Sequence, residues 1–483
     1  MRIILIDELP HMHRRETSGF CKFVLASAVL CILPSLAAGK EPTAPGRITW
    51  DDGIAAVMQR HCIDCHRPGQ AAPFSLLRHR DAARRADFLV QAVESGHMPP
   101  WLPEAGEHAF VGERRLSPAE LELLREWAET GAPSGDKGGE ALPVPEVASE
   151  WILGEPDIVL EMEEAFEIPA ANRDIYRAFV LPFDARQLPH GAVAAARIPG
   201  SDFVGVAAAE VRPGNRTAVH HALVFVDSTG KARKLADADP DYGYERFGDP
   251  GFEPSGFLAA YTPGSSPKQW PPGIADTLDL NGDVVIHIHY SPTGKPETDR
   301  TRVGLYLSRE PVRRVTAPIR LGTFDIEIPP GKTHHRVTDR FRLPADVFVL
   351  AVTPHMHYLG RSVRVRALPR EGRDSSLLLD IRRWNFNWQD RYHFVEPVFL
   401  AAGTVIEAEW IFDNSANNPA NPHDPPRHVS FGPNSSDEMA EVHLDCIPLD
   451  LGDYPVLSES MEDAMRDAVR RLTPAQRKRY GFE

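Results

Sequence analysis

From about residue 150 to 412 the chain is a succession of short apolar runs: Ala178 to Phe183, Phe203 to Arg212, Ala222 to Val226, Asp283 to Tyr290 and Arg302 to Leu307, then Thr323 to Ile328, His335 to Leu343, Phe348 to Val352, Ser362 to Ala367, Leu377 to Ile381 and Thr404 to Phe412. Runs this short match strands better than helices, and strands at regular spacing with turn signals between them build β-sandwiches. A break from Pro311 to Pro318 parts the runs into two sets, so two all-β sandwiches are expected, over residues 150–314 and 315–453. The 44 prolines and 35 glycines supply the turns that so many short strands need. With 483 residues, the chain has room for about three domains of the usual ~150 residues.

The third unit precedes the strands. His61-Cys62-Ile63-Asp64-Cys65-His66 contains CxxCH, the attachment signature of c-type haem: two thiols add to the haem vinyl groups and His66 takes one axial position on the iron. A CxxC redox pair needs no following histidine, and a zinc knuckle needs a second ligand pair nearby, which the sequence lacks. Met98, in Ser95-Gly96-His97-Met98-Pro99-Pro100-Trp101, offers the second axial ligand; its offset from His66 and its proline-rich loop resemble small class I cytochromes c. His97 competes with it for that position. Asp51 stands where it can cap a helix through Gln59. Ser117-Pro118-Ala119-Glu120 supplies a cap, a first-position proline and a capping-box glutamate to a helix that ends at Gly131 and carries Leu121, Leu124 and Trp127 on one face. A small all-α, cytochrome c-like haem domain is expected over 45–134, then a linker over 135–149, and at the far end a helical tail over 454–483 that includes an amphipathic helix from Glu459 to Arg471.

At the start, Phe23 to Gly39 form an apolar run after His13, Arg14 and Arg15, which reads as an export signal over 1–38, with Met12 an alternative start. Broken by Pro34, the run falls short of the ~20 residues of a membrane-spanning helix, and no small residue precedes Cys31 as a lipid anchor requires, so membrane attachment is not expected. A bacterial periplasmic location follows. Cys21 and Cys31 leave with the signal, and the remaining Cys62, Cys65 and Cys446 cannot make a disulfide framework. The net charge of -15 argues against a nucleic-acid partner, because phosphate binding needs clustered cations.

The chemistry of the β-rich part lies in its histidines. Thr353-Pro354-His355-Met356-His357-Tyr358-Leu359-Gly360 follows an apolar run, and side chains two apart on a strand point the same way, so His355 and His357 can present two imidazoles to one ion. His220-His221 opens another strand, His287-Ile288-His289-Tyr290 ends a third, and Met439 sits in Ser435-Ser436-Asp437-Glu438-Met439. Imidazole plus thioether is a soft set that suits copper better than zinc, magnesium or calcium. His334-His335, His423 and His428 lie in turns and read as solvated.

At these residues the chain resembles the copper type II, ascorbate-dependent monooxygenases, the group containing peptidylglycine α-hydroxylating and dopamine β-monooxygenases. The match runs from about 160 to 450, with every motif in the family's order. The resemblance implies two jelly-roll domains and two copper ions facing each other across a solvent-filled cleft. His220, His221 and His289 would hold the electron-transfer copper, while His355, His357 and Met439 would hold the catalytic copper, where dioxygen and a small-molecule substrate meet. His287 shares the face of His289 and is a rival or a supporting residue. Where peptidylglycine hydroxylases grip a substrate carboxylate, this chain has Thr353, Glu441 and His443, so that clamp is absent; Glu441 and His443 are expected on one strand face toward the cleft. The fused haem would then be the internal electron donor, itself fed by an external one, with its first delivery to the His220, His221 and His289 copper.

Overall fold

The computed structural model describes residues 48–480 except 69–71, 137, 145–149, 172, 189–201, 247–249, 253, 263–264, 266, 371–373 and 433. The export signal and part of the linker fall outside the described residues. The described chain is mostly β. In the first sandwich one sheet runs Ile158–Glu161, Arg302–Leu307, Phe203–Arg212, Ile274–Asp279, Arg314–Val315, and the facing sheet runs Tyr244–Glu245, Ile175–Leu181, Asp283–Tyr290, Val219–Asp227, Gly256–Tyr261. Alternate residues of the two inner faces, among them Phe179, Val204, Val224, Leu258, Ile286 and Leu305, close into one core.

The second sandwich pairs the order Ala317–Gly322, Ala440–Pro448, Val347–Met356, Tyr392–Leu400 with the order His335–Arg342, Val405–Phe412, Gly360–Leu368, Ser376–Ile381. Its core includes Ile319, Val349, Val365, Ile406, Trp410 and Leu444. The helix Tyr454–Arg471 lays Leu457, Met461, Met465 and Val469 against this core. The strand expected over Thr323 to Ile328 forms only at Glu327–Ile328. The Thr323 hydroxyl accepts from the Asp325 amide at 3.0 Å, and this local bond turns the backbone away from the ladder.

Of the strands outside the expected runs, the longest are Gly256–Tyr261, Ile274–Asp279, Ala317–Gly322, Tyr392–Leu400 and Ala440–Pro448, the last foreseen only as the strand face of Glu441 and His443. The last carries Glu441, His443 and Asp445, and it can lie in the middle of a sheet because distant arginines answer its carboxylates: Arg320 pairs with Glu441, and Arg391 stands 3.2 Å from Asp445.

Among the short helices between Trp50 and Glu129, Trp50, Ile54, Met58, Ile63, Leu76, Leu124 and Trp127 are buried together in a small core. Thr49, rather than Asp51, caps the first turn, its hydroxyl accepting from the Asp52 amide at 3.1 Å. The helix Pro118–Glu129 carries the full capping box between Ser117 and Glu120. The chain between the last two helices then lies along the second sandwich. The Val111 amide donates to the His393 carbonyl at 2.8 Å, the Val395 amide to Ala109 at 2.9 Å, and the Glu104 amide to Asp380 at 2.7 Å. Phe110 stacks on Phe394 at 5.0 Å between ring centres, and Trp101 meets Tyr392 edge-on at 5.3 Å. The helical part is therefore docked on the second sandwich rather than loosely tethered, because this strip both extends a sheet edge and buries aromatic surface.

Two predictions follow from that junction. Phe110→Ala should cost about 3–5 kcal/mol in denaturant unfolding, since the ring sits in a packed aromatic cluster only 8% exposed. Asp390, opposite Arg114, is pushed up to about 6, chiefly by burial, with Arg114 and Arg391 pulling the other way. A carboxyl raised on folding takes up a proton, so its contribution is full below the unfolded value and lost as pH rises through 6. Wild type should lose on the order of 2 kcal/mol between about pH 4 and pH 7 relative to Asp390→Asn, read from chemical denaturation at each pH.

Candidate metal centre

His220 and His221 are neighbours on one strand, and on a regular strand they would point to opposite faces. The ladder is irregular here: His289 pairs with His221 but Tyr290 pairs with Val219, which leaves His220 as the extra residue of a bulge. The bulge turns both imidazoles to one side. The ligand atoms of His220, His221 and His289 lie within 4.8 Å of one another, and Nδ1 of His221 is 3.4 Å from Nδ1 of both His220 and His289. Burial pushes the His220 imidazole down to about 4 and the His221 imidazole well below its usual range, with His289 adding to both. Neutral imidazoles with converging nitrogens can hold a metal ion. Tyr176 stacks on His289 at 4.2 Å, and Asp174 Oδ1 lies 3.3 Å from His289 Nε2. His287 is not part of the cluster: its Nε2 donates to the Arg246 carbonyl at 2.7 Å.

His355 is the penultimate residue of the strand Val347–Met356, and His357 follows its end. Met356, between them, is fully buried in the core, so the two imidazoles share the other face, their ring centres 5.2 Å apart. His355 Nδ1 donates to Gln389 Oε1 at 2.5 Å and His357 Nδ1 to the Asp437 carbonyl at 3.2 Å. Both tautomers are thereby fixed with the Nε2 lone pair free. Burial holds the His357 imidazole down at about 3, helped by His355, and lowers the His355 imidazole.

Glu438 ties the Met439 backbone to the chain at His357, while the Met439 side chain is buried with the core of the second sandwich. The Glu438 carboxylate accepts from the backbone amides of His357 at 2.9 Å, Leu359 at 2.6 Å and Met439 at 3.1 Å, and Met356 pairs with Ala440 across the sheet. Burial pushes that carboxyl up to about 8 although the amides pull it down.

The two clusters are joined by one aromatic ring and one hydrogen bond. Phe386 stacks on His220 at 5.1 Å and meets His357 edge-on at 5.7 Å, and the Ser435 hydroxyl donates to Asp174 at 2.6 Å from the opposite sandwich. The expected solvent-filled cleft is thus occupied at this point by an aromatic ring and a hydrogen bond, because loop 382–391 folds into it. Glu441 and His443 share one strand face as expected, but the Glu441 carboxylate faces Arg320 as well as His443 Nε2, 3.2 Å away. Burial would raise Glu441; Arg320 and His443 overcome it and hold the carboxyl far below its usual range. His428 pairs with Glu327 at 2.8 Å on the surface, exposed His334 lines a shallow groove with Arg336 and Arg361, and His423 Nε2 donates to the Ser436 carbonyl at 3.1 Å.

Cys62 and Cys65 follow the helix Ala55–His61, and the His66 amide donates to the Cys62 carbonyl at 2.9 Å, which keeps the motif a tight turn. His66 Nδ1 donates to the Phe74 carbonyl at 3.0 Å, so its Nε2 is free for a metal, and its imidazole is lowered first by burial. Burial pushes the Cys62 thiol up to about 12. Met98 is partly buried and His97 exposed.

These features define a β-sandwich protein with a metal-capable histidine centre between its two sandwiches and a CxxCH motif beside them. The chain is similar to "DBH-like monooxygenase protein 1" of Gallus gallus, 25% identical over 224 residues, a match that takes in 41% of this chain and 35% of the relative, so it spans about a third of that protein. No family model matches. Among solved structures, the peptide N-glycanase F chain aligns over 60% of this chain at 11% identity and TM-score 0.26, and the VP2 subviral particle of infectious bursal disease virus over 63% at 6% identity and TM-score 0.18. Likenesses that faint carry nothing for this fold.

His289→Ala should remove one metal equivalent when the protein is loaded with copper and dialysed, while His287→Ala keeps full stoichiometry. Equal loss in both, by atomic emission, would contradict the assignment of ligands.

Proposed function

We propose that the chain is an exported, periplasmic copper-dependent monooxygenase of the copper type II kind, built as an N-terminal haem c domain followed by two jelly-roll sandwiches. The observation that carries the proposal is the pairing of a three-imidazole cluster at His220, His221 and His289, its ligand atoms converging, with a pair at His355 and His357 whose Nε2 atoms are left free by Gln389 and Asp437. The likeness to a DBH-like monooxygenase supports an oxygenase reading. Imidazoles with the Met439 thioether make a soft donor set that fits copper, and the fixed His66 tautomer beside two cysteines fits haem c.

When bound, copper supplies one-electron chemistry and dioxygen activation, and haem a one-electron store. The net reaction is RH + O2 + 2e- + 2H+ giving ROH + H2O. The chain's own part is to hold the His220, His221, His355 and His357 imidazoles neutral by burial, to fix the tautomers of His355 and His357 through Gln389 and Asp437, and to pack the Phe386 ring between the two clusters. Glu441 is engaged by Arg320, so an amine substrate would compete with that pair. The substrate is a small molecule, and neither nucleic acid nor membrane is a partner in this reading. Among the described residues no helix is long and apolar enough to cross a membrane.

One observation favours a second reading, a copper and haem protein that only transfers electrons: Phe386 fills space between His220 and His357. Oxygen uptake by the reduced, copper-loaded protein, run against a panel of amines, thioethers and aromatics, separates the two. A monooxygenase yields one hydroxylated product per dioxygen, and His355→Ala brings product to background. Oxygen consumption without product across the panel leaves the electron carrier.

A further inference from the structure

One carboxylate of the first sandwich touches both halves of the histidine centre. His289 turns Nδ1 to Nδ1 of His221 at 3.4 Å and Nε2 to Asp174 Oδ1 at 3.3 Å. That Nε2 is shielded from solvent, and its contact with Asp174 falls short of hydrogen-bond geometry. The other oxygen, Asp174 Oδ2, accepts from the Ser435 hydroxyl of the second sandwich at 2.6 Å. Ser435 lies in a tight turn: the Asp437 amide donates to the Asn434 carbonyl at 2.8 Å, and the Asp437 carboxylate accepts from the Asn434 backbone amide at 3.1 Å and its side-chain amide at 2.7 Å. From the far end of that turn the Asp437 carbonyl accepts from His357 Nδ1 at 3.2 Å, and the next residue, Glu438, accepts from the His357 amide at 2.9 Å. A run of contacts therefore leads from His289 through Asp174, Ser435 and Asp437 to His357.

A metal ion on Nδ1 of His289 fixes the ring proton on Nε2 and adds positive charge to the ring, which draws the Asp174 carboxylate into a charge-assisted hydrogen bond. We propose that Asp174 is a positioning residue that couples the two sites: an ion at His220, His221 and His289 closes the His289 to Asp174 contact, and through Ser435 sets the turn that orients His357 for a second ion. This rests on the two-metal reading above and goes beyond it, since nothing in that reading links the loading of one site to the other. Two cations at neighbouring sites repel, so direct electrostatics makes the second ion bind more weakly. The relay acts with the opposite sign, and the sign of the coupling tells them apart.

Full-length protein with its accessible thiols alkylated is titrated with Cu(I) under argon against bicinchoninate. His355→Ala reports the affinity of the three-histidine cluster alone, His220→Ala that of the pair alone, and wild type that for both ions together; the last divided by the product of the first two is the coupling factor. It should be on the order of ten in wild type. Ser435→Ala, which leaves the His289 contact with Asp174 in place, and Asp174→Asn should each bring it close to one, while Ser435→Thr keeps the hydroxyl and the coupling. A merely structural role would also weaken the pair when the cluster is disabled, so the Ser435→Ala, His220→Ala double variant should bind as His220→Ala does; weaker binding there overturns the positioning role. Far-ultraviolet circular dichroism shows that each variant is folded. A wild-type factor of one or below overturns the relay, and a factor that Ser435→Ala and Asp174→Asn leave unchanged overturns it in favour of a route through Phe386. A wild type that takes up fewer than two coppers overturns the two-metal reading itself.

Discussion

The structure of the histidine centre depends on how loop 382–391 fills the space between three bodies. Phe386 packs between His220 of one sandwich and His357 of the other. Gln389 accepts from His355 at 2.5 Å and donates to Phe386 at 2.9 Å, and its carbonyl takes the Thr262 hydroxyl of the first sandwich at 2.6 Å. Trp384 Nε1 donates to the His357 carbonyl at 3.2 Å, and Trp388 lies beneath Arg114 of the helical part. One short segment thus sets the tautomer of an imidazole, packs a ring between the two clusters and touches Arg114 of the helical part. Each bond is worth little alone; together they over-determine the loop, and a loop so held can keep side chains in place for chemistry.

Burial is the second constraint. Desolvation is the largest cause of the lowered His220, His221, His355 and His357 imidazoles. The same effect that makes a charged imidazole costly leaves its lone pair ready for a metal at neutral pH. Asp174 shows the opposite balance at the same centre. Burial would raise it, but His289 and Ser435 hold it down at about 2, so a fixed negative charge stays next to the three-histidine cluster. That charge favours a bound cation and ties the two sandwiches together through Ser435.

The helical part meets the second sandwich by backbone ladder and aromatic packing together. The Gly- and Pro-containing segment 135–149 reads from sequence as a linker. What fixes the geometry is the strip 101–111, whose Trp101 and Phe110 find Tyr392 and Phe394. Loop 382–391, which this part touches at Trp388, reaches both His220, through Phe386, and His355, through Gln389.

The sequence by itself determined what local chemistry can settle. Short apolar runs between turn signals marked the strands Phe203–Arg212, Asp283–Tyr290 and Arg302–Leu307, a capping box marked the helix Pro118–Glu129, and the two-residue spacing of His355 and His357 put both on one face. Glu438 was visible in its motif, but its three amide partners were not. The tertiary structure alone decided the bulge that turns His220 to join His221, the burial of the charged strand Ala440–Pro448, the removal of His287 to the Arg246 carbonyl, and the entry of Phe386 and Gln389 into the centre. The reason is physical. Period and propensity act over a few residues, whereas a bulge, a buried ion pair or a tautomer is stabilised by partners tens to hundreds of positions away, whose approach no local pattern encodes.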